Sequence, residues 1–557
     1  MRHRLVHRIK HGVFVFLSVL AVAVGVGFFS LTRVEGVSST GFSAERVAAD
    51  IQIISQEPHS IQQPQARASV RTYLADRLRG LGAVPAIYPY DSIPDKWGGH
   101  IDIANVYAVF DPLDGPAQSY ILMVAHLDSR FATEVLGDTV LSYGAADDGY
   151  GLGVILESVA GALRYRNQWK QGIKVLFTDS EECELDGMTQ AYARDRALFD
   201  KVGLVCNLEA RGVKGPAYLF ETSPGNSRVI DLYKKAKAPY TYSITSVIYE
   251  LLPNFTDFTV VKDSLPGVNF SVIDNLRYYH TDKDNYHNIS LRSLQHYGNQ
   301  IAPMLQAFLV DDAYADDAYF VSKENKVFFS VPVLGLFVFT KDAYLLWNAI
   351  AFALLCLSFV LAVGRMGLSP RAMLKKALWL FMVALLILGV GEGIAYLAAK
   401  FTGERFSFTD IRYVTFDYVF IIGYLVLIAI GIYFFVRRNF RKSRRFIIEV
   451  FFATQCLVFV LALALYLTLG ENFFLLIPLL LASAAFVISQ INYGGIAFLL
   501  ATTGLLLLGS SFYYCLITAV TIGSLGVMAM LAFLTLMYTI TMGVMWQQER
   551  KPVKLKY

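Results

Sequence analysis

The sequence predicts two architectures in one chain: an α/β domain built on a doubly wound, mostly parallel sheet, joined to an all-α polytopic transmembrane domain. Three observations predict them. Of the 557 residues, 55% are hydrophobic and the mean hydropathy is +0.46, more apolar surface than an ordinary soluble chain carries. Strand-like and helix-like patterns alternate from about Phe42 to Leu309, as expected of a layered α/β domain. From residue 343 onward, long apolar runs follow one another with short polar breaks between them, each long enough to cross a bilayer.

Residues 1–11 hold Arg2, Arg4, Arg8 and Lys10 and no acid, and an apolar run covers residues 12–31. A cleaved signal peptide has a similar basic front but usually a shorter apolar core, and no small-x-small cleavage site follows here. The run therefore reads as a retained anchor. Its basic flank puts the amino terminus in the cytoplasm and residues 32–342 outside it.

Within that outer segment, Phe42–Gln56 and Gln65–Leu81 have helical period, the second ending near Gly80 and Gly82. Val84–Tyr90 and Asn105–Phe110 read as strands, and Pro85 and Pro89 confine the first to an edge. Tyr120–Ala125, Ile173–Thr178 and Leu204–Leu208 are unbroken apolar strands of the kind buried on both faces of a parallel sheet. Gly149–Arg164, Leu185–Ala197, Ser227–Ala236 and Ser290–Leu309 read as helices, and Gly267–Ile273 as one more strand.

Residues 343–546 contain about seven further apolar runs: Ala343–Val363, Ala377–Ala398, Tyr413–Val436, Phe446–Leu469, Phe473–Ile491, Gly494–Thr518 and Ile522–Trp546. One break is basic through Arg365, Arg371, Lys375 and Lys376, and a later one through Arg437, Arg438, Arg441, Lys442, Arg444 and Arg445. Lys400–Arg412 mixes signs, and the tail, residues 547–557, is basic again. Counting basic breaks as cytoplasmic gives eight spans in all, with both termini inside. Gly494–Trp546 could instead fold as three short spans, which would put the tail outside.

The net charge of +4 is mild, and no basic, aromatic-interleaved patch suggests nucleic acid as a partner. Five cysteines are too few for a disulfide framework. Cys356, Cys456 and Cys515 lie in apolar runs, while Cys183 and Cys206 fall in the polar half, where an oxidising compartment would let them pair.

The chemistry gathers at the strand ends. His126-x-Asp128 closes the run that begins at Ser119. Asp147-Asp148 follows Gly144-Ala-Ala; Glu181-Glu182, Glu209 and Tyr279-His280 come later. Separately each has a bland reading: a hydrogen-bonded pair, a solvated acidic turn, an acidic helix start. Jointly they supply what a pair of hydrolytic zinc ions needs, namely His and carboxylate ligands, one bridging carboxylate and one carboxylate left to take a proton from water.

This set, His126-x-Asp128, Gly144-Ala-Ala-Asp147-Asp148, Glu181-Glu182, Asn207-Leu-Glu209 and Tyr279-His280-Thr281-x-x-Asp284, resembles the co-catalytic di-zinc exopeptidases of the aminopeptidase S and Y type. Thr256-Asp257-Phe258 and Leu265-Pro266-Gly267-Val268 resemble that family's pattern before its last histidine. The layout of anchor, domain and multi-span tail resembles the family's membrane branch. The motifs cover about Phe42 to Phe308, and no ligand position departs from the pattern.

The resemblance implies a zinc exopeptidase fold for the outer domain and two zinc ions per chain. His126, Asp147 and Glu209 would hold one ion and Asp147, Glu182 and His280 the other, with Asp147 bridging. Glu181 would be the general base, and Asp128 would hydrogen-bond His126 to fix its tautomer. Tyr279 would donate to the developing oxyanion, or simply pack. Cys183 would be a structural thiol. The implied reaction is removal of amino-terminal residues from a peptide or protein substrate on the non-cytoplasmic side of a bilayer, whether periplasm, cell exterior or organelle lumen. Oligomeric state stays open.

Two rival readings remain at this stage. One is a glutaminyl-cyclase-like enzyme with a single zinc. The other is a transporter or scaffold whose outer domain is accessory, with Glu392 among Gly391, Gly393 and apolar neighbours as its polar feature. Loops Asp91–His100 and Tyr242–Phe255 are the segments expected to shape the pocket. Asn254-Phe-Thr, Asn269-Phe-Ser and Asn288-Ile-Ser match the glycosylation sequon.

Overall fold

The computed structural model describes residues 2–135, 137–250, 252, 254–403, 406, 416–439, 444–490 and 494–547. The chain forms two compact units: Phe29–Ser330 with Gly335–Thr340, and Met1–Phe28 with Val331–Leu334 and Lys341–Tyr557.

The first unit is built on a mixed sheet. Its strands are β1 (Ala86–Pro94), β2 (His100–Phe110), β3 (Tyr120–His126), a small hairpin β4 (Thr133–Val135) and β5 (Asp138–Val140), then β6 (Gly172–Thr178), β7 (Val202–Ala210), β8 (Tyr218–Thr222) and β9 (Gly267–Val272). Spatially the seven-stranded sheet runs β1-β2-β6-β3-β7-β9-β8. The central pairings β6–β3, β3–β7 and β7–β9 are parallel. The outer pairings β1–β2, β2–β6 and β8–β9 are antiparallel.

The apolar run at β3 explains the layering. Every residue of Tyr120–His126 is buried, and successive side chains point to opposite faces. Ile121, Met123 and Ala125 join a core with the helices Ala44–Ile54, Gly149–Ala162 and Leu291–Val310. Leu122 and Val124 pack on the other face against Met188 and Ala191 of helix Asp186–Arg194 and Phe258 and Val261 of helix Asp257–Val261. Helices on both faces leave the carboxyl ends of the parallel strands as the open rim, where ligands bind in such sheets.

The expected helices and strands of this unit all form, with ends shifted by a few residues, as in β1 at Ala86–Pro94. Others had no signal that stood out: β8, which closes one edge; helices Ile244–Glu250 and Asp257–Val261; and a second hairpin, β10 (Lys326–Val331) with β11 (Gly335–Thr340). Cys183 and Cys206 are both free thiols. Asn269 sits inside β9, fully buried and bonded to Asn207, Glu221 and Thr256, which removes that sequon from consideration.

In the second unit each of the eight apolar segments coincides with a helix among the described residues. Six helical stretches there are long and apolar enough to cross a membrane; the last, Gly495–Gln547, holds two helices, Gly494–Val520 and Leu525–Gln547, joined by a short turn. Phe473–Ile488 is the short one, at 16 residues, about 24 Å of rise. The first helix, Arg2–Gly27, belongs to this bundle: a Cβ on Gly25 would meet Ser510 and Leu507, the close approach that small residues allow between membrane helices. Residues 404, 405 and 407–412 of the mixed break, residues 413–415 at the start of the run that follows it, Arg441 and Lys442 of the basic break and tail residues 548–557 lie outside the described residues.

Glu392 has a local partner. Its Oε1 accepts a hydrogen bond from the Gly526 amide at 3.0 Å, in the first turn of Leu525–Gln547, where a carboxylate satisfies an otherwise free helix N–H. The Glu392 Oε2 is buried without a hydrogen-bond partner among the described residues.

Candidate metal centre

His126 is the last residue of β3, and its ring is tied by its own strand end. Nδ1 donates to the Asp128 main-chain carbonyl at 2.8 Å. Since a carbonyl only accepts, the neutral ring carries its proton on Nδ1 and turns an unprotonated Nε2 outward. That Nε2 faces Asp147 Oδ1 at 3.2 Å and Glu209 Oε2 at 3.8 Å. The Asp128 carboxylate, expected to make the hydrogen bond itself, is 3.6 Å from Nδ1. It instead accepts the amides of Glu181 at 3.0 Å and Glu182 at 3.3 Å, holding the start of the one-turn helix Glu181–Glu184.

The two adjacent aspartates divide. Asp148 caps helix Gly149–Ala162 by accepting from Gly151 and also accepts the His126 amide at 3.2 Å. Asp147, joined to it by a cis peptide, points into the cluster, with Oδ1 toward His126 and Oδ2 3.2 Å from His280 Nε2. Asp284 fixes this turn from behind: its carboxylate accepts the amides of Ala146 at 2.7 Å and Asp147 at 3.1 Å.

Glu182 Oε1 lies 3.0 Å from His280 Nε2. Arg130, which no sequence pattern singled out, donates to Glu182 Oε2 at 2.9 Å and to its carbonyl at 3.0 Å. Glu209 is positioned near the end of β7, where Asn207 donates to its Oε1 at 3.0 Å. Glu181 is half-buried with no side-chain partner among the described residues. Tyr279 stacks on the His280 ring, centroids 3.6 Å apart. Ser180, Leu185 and His280 all take left-handed backbone, with φ of 64°, 58° and 59°, conformations that cost about 1–3 kcal/mol each and cluster at functional sites.

Two ligand triads result, His126–Asp147–Glu209 and Asp147–Glu182–His280, each with its ligand atoms within 4.8 Å of one another. The residues fit a cation at each. Around His126 three acceptors face one another. Around His280 the buried Asp147 Oδ2, Glu182 Oε1 and His280 Nε2 have no hydrogen-bond partner, a cost that bound cations relieve.

The acids respond to their burial. Burial, then the charge on neighbouring Glu182, raises Asp147, and burial pushes Glu209 up to about 8. Burial likewise holds Glu181 well above the usual carboxylate range. For Glu182, burial is outweighed by His280 and Arg130, which hold it well below that range. Burial would lower His126, yet Asp128 and Asp147 lift it well above its ordinary value. This is a nest of negative charge that attracts protons or metal.

Further residues support the cluster. Asp179, fully buried, accepts from Arg71 at 2.7 Å and the Ala104 amide at 2.8 Å, with Arg67 at 3.3 Å. The carboxylate of buried Asp257 accepts from Thr178 at the end of β6. His59, buried beneath the 126–130 segment, receives the Ser129 amide on its carbonyl. Asp257 stood within a quoted motif; Arg71, Arg67 and His59 had no spacing to mark them. Loop residues Lys96 and Trp97 pack on Phe131 beside Arg130. Residues 251 and 253 of the other pocket loop lie outside the described residues.

Residues 105–305 match the model of Peptidase family M28, bearing out the resemblance carried by the motifs. The mouse endoplasmic reticulum metallopeptidase 1 is 28% identical over 275 residues, covering 48% of this chain and 29% of that protein. The vacuolar membrane protease of Candida dubliniensis is 26% identical over 360 residues, 62% of this chain and 37% of that one. The chain thus spans about a third of the length of these curated relatives. Among solved structures, Porphyromonas gingivalis glutaminyl cyclase (20% identity, TM-score 0.39) covers 48% of this chain and 99% of its own. The Bacillus subtilis zinc aminopeptidase (13% identity, TM-score 0.39) covers 50% and 98%.

Proposed function

We propose that this M28-type chain is a membrane-bound di-zinc aminopeptidase, hydrolysing the bond next to a free amino terminus outside the cytoplasm. The observation that carries the reading is the pair of triads sharing Asp147, three of whose buried polar atoms have no hydrogen-bond partner among the described residues. His126, Asp147 and Glu209 would hold one zinc, and Asp147, Glu182 and His280 the other. When bound, the two ions supply the positive charge that makes water acidic near neutral pH and polarises the scissile carbonyl.

The chain's own groups do the rest. Glu181, next to Glu182 and without a side-chain partner among the described residues, takes the proton of the attacking water on its carboxylate and hands it to the leaving amine. Its raised proton affinity suits a group that must hold that proton in mid-reaction. His126 keeps its metal-facing nitrogen unprotonated because Nδ1 donates to Asp128. Arg130 holds Glu182 from the far side. Tyr279, stacked on His280, would donate to the oxyanion. The anchor helix and the bundle keep the domain at the bilayer, with both termini in the cytoplasm.

The test is Glu181→Gln in the full chain, assayed on aminoacyl amides with zinc measured per chain. Turnover should fall by about 10²–10⁴-fold, the usual worth of a general base, while two zinc ions remain bound. Unchanged turnover with zinc retained would remove Glu181 from the mechanism. One zinc per chain together with pyroglutamate formation would replace the peptidase reading with a cyclase.

A further inference from the structure

The second unit holds a cavity that the peptidase chemistry does not use. It has a volume of ≈ 590 Å³ and lies between the helices Pro370–Thr402, Asp417–Asn439 and Arg444–Leu469. Lys376, Trp379, Phe434, Phe435, Arg438 and Phe446 are among the residues that line it. By chain position these sit in the first turns of the first and third helices and the last turns of the second, so the cavity lies at one end of the bundle.

Its chemistry is amphipathic. The wall is aromatic: Trp379 stacks on Phe435 with centroids 5.1 Å apart, and buried Leu380 and Val450 form the floor. Trp379 is 47% exposed and Phe434 60% exposed, so the cavity opens on an exposed apolar flank of the bundle. The rim is cationic. Lys376 directs one hydrogen bond to Glu449 at 2.7 Å, leaving further donors. Glu449 is neutralised a second time by Arg445 at 3.1 Å. Arg438 is exposed and has no side-chain partner among the described residues.

Those four groups sum to a positive rim, since the single acid is already engaged by two cations. Two helix amino termini at the same end add to it. A soluble anion would account for the cations but not for the aromatic wall, and a neutral lipid for the wall but not for a free arginine. An anionic phospholipid matches both.

We propose that this cavity binds an anionic phospholipid, its phosphate held by Lys376 and Arg438 and an acyl chain lying along Trp379, Phe435 and Phe446. Basic recesses between membrane helices are suited to such headgroups, at about 1 kcal/mol per cation.

The full chain would be reconstituted in vesicles of equal phosphatidylcholine and phosphatidylglycerol, extracted in mild detergent, and its retained lipid quantified by mass spectrometry. Phosphatidylglycerol should be enriched over the vesicle composition. Arg438→Gln should cut that enrichment by about five-fold, and Arg438→Lys, which keeps the charge, should preserve it. Arg438 has no side-chain partner among the described residues, so the substitutions should leave the helices folded, and an unchanged melting curve verifies this. Added inorganic phosphate should not displace the lipid. Enrichment equal to the bulk vesicle, or the same in wild type and Arg438→Gln, would overturn the site. Displacement by inorganic phosphate would overturn the lipid in favour of a soluble phosphate.

Discussion

Asp284 has a chemical task without touching the ligand cluster directly. It is buried, and its carboxylate accepts two adjacent main-chain amides, those of Ala146 and Asp147. Those amides set the direction in which the Asp147 carboxylate leaves the chain. Asn at 284 keeps one acceptor and turns a donor toward the other amide, so one buried N–H loses its partner. Asp284→Asn should therefore weaken zinc binding by about 10–100-fold, the usual effect of removing a group that orients a ligand. A competition titration of the full chain against a calibrated chelator measures it; unchanged affinity would show that the 146–147 turn holds itself. The motif contained Asp284, but spacing alone could not say that its partners are main-chain amides.

At the scale of elements, the strand ends were legible and their supports were not. An apolar run closed by His126-x-Asp128 announces a buried strand and its rim, because burial on both faces leaves no polar alternation. Glu181, Glu182 and Glu209 follow from the same logic of strand ends, whereas Asp147 and His280 stand in turns and were marked by their motifs. The hairpin β10–β11 is short and forms a two-stranded sheet of its own, apart from the seven-stranded one. Edge strand β8 carries no comparable run-and-break pattern, since it is short and its partner β9 comes much later in the chain. The same holds for helix Pro64–Gly80. Its period marked it as a helix, yet its place depends on Arg67 and Arg71 reaching Asp179, over a hundred residues on. Asp179 immediately precedes Ser180 and Glu181, so this helix pins the loop that carries Glu181, the proposed base. Arg71→Ala leaves a fully buried carboxylate with Arg67 alone, and breaking such a pair costs about 3–5 kcal/mol. The first melting transition of the full chain should fall by roughly 10 °C. A fall under about 2 °C would mean that Arg67 and the Ala104 amide suffice.

At the scale of the whole molecule, hydropathy marked the membrane-spanning helices, while the helix-capping role of Glu392 and the cavity behind Lys376 needed three dimensions. The catalytic unit makes the last prediction, because its stability should depend on metal and pH together. Burial raises Glu209 to about 8 and Asp284 to about 7, each far above its unfolded value. His126 and His280 are also raised, by the acids beside them against the pull of burial. Without metal, the folded site therefore holds protons that the unfolded chain has released. A folded state that binds more protons loses stability as pH rises. The contribution is full below about pH 4 and lost progressively up to about pH 8. Glu182, held low by His280 and Arg130 despite its burial, is ionised across that window and adds no slope there. Zinc binds the deprotonated ligands and takes the place of those protons. The gap between zinc-loaded and chelated melting curves should then widen with pH, reaching about 2.7 kcal/mol per site when free zinc is about a hundred times Kd. Buried histidines elsewhere, such as His296, titrate alike in both curves and cancel in the difference. Curves for the full chain at about pH 5 and about pH 8 decide the matter: a gap that narrows or stays constant would mean that the cluster's protons are not displaced by metal.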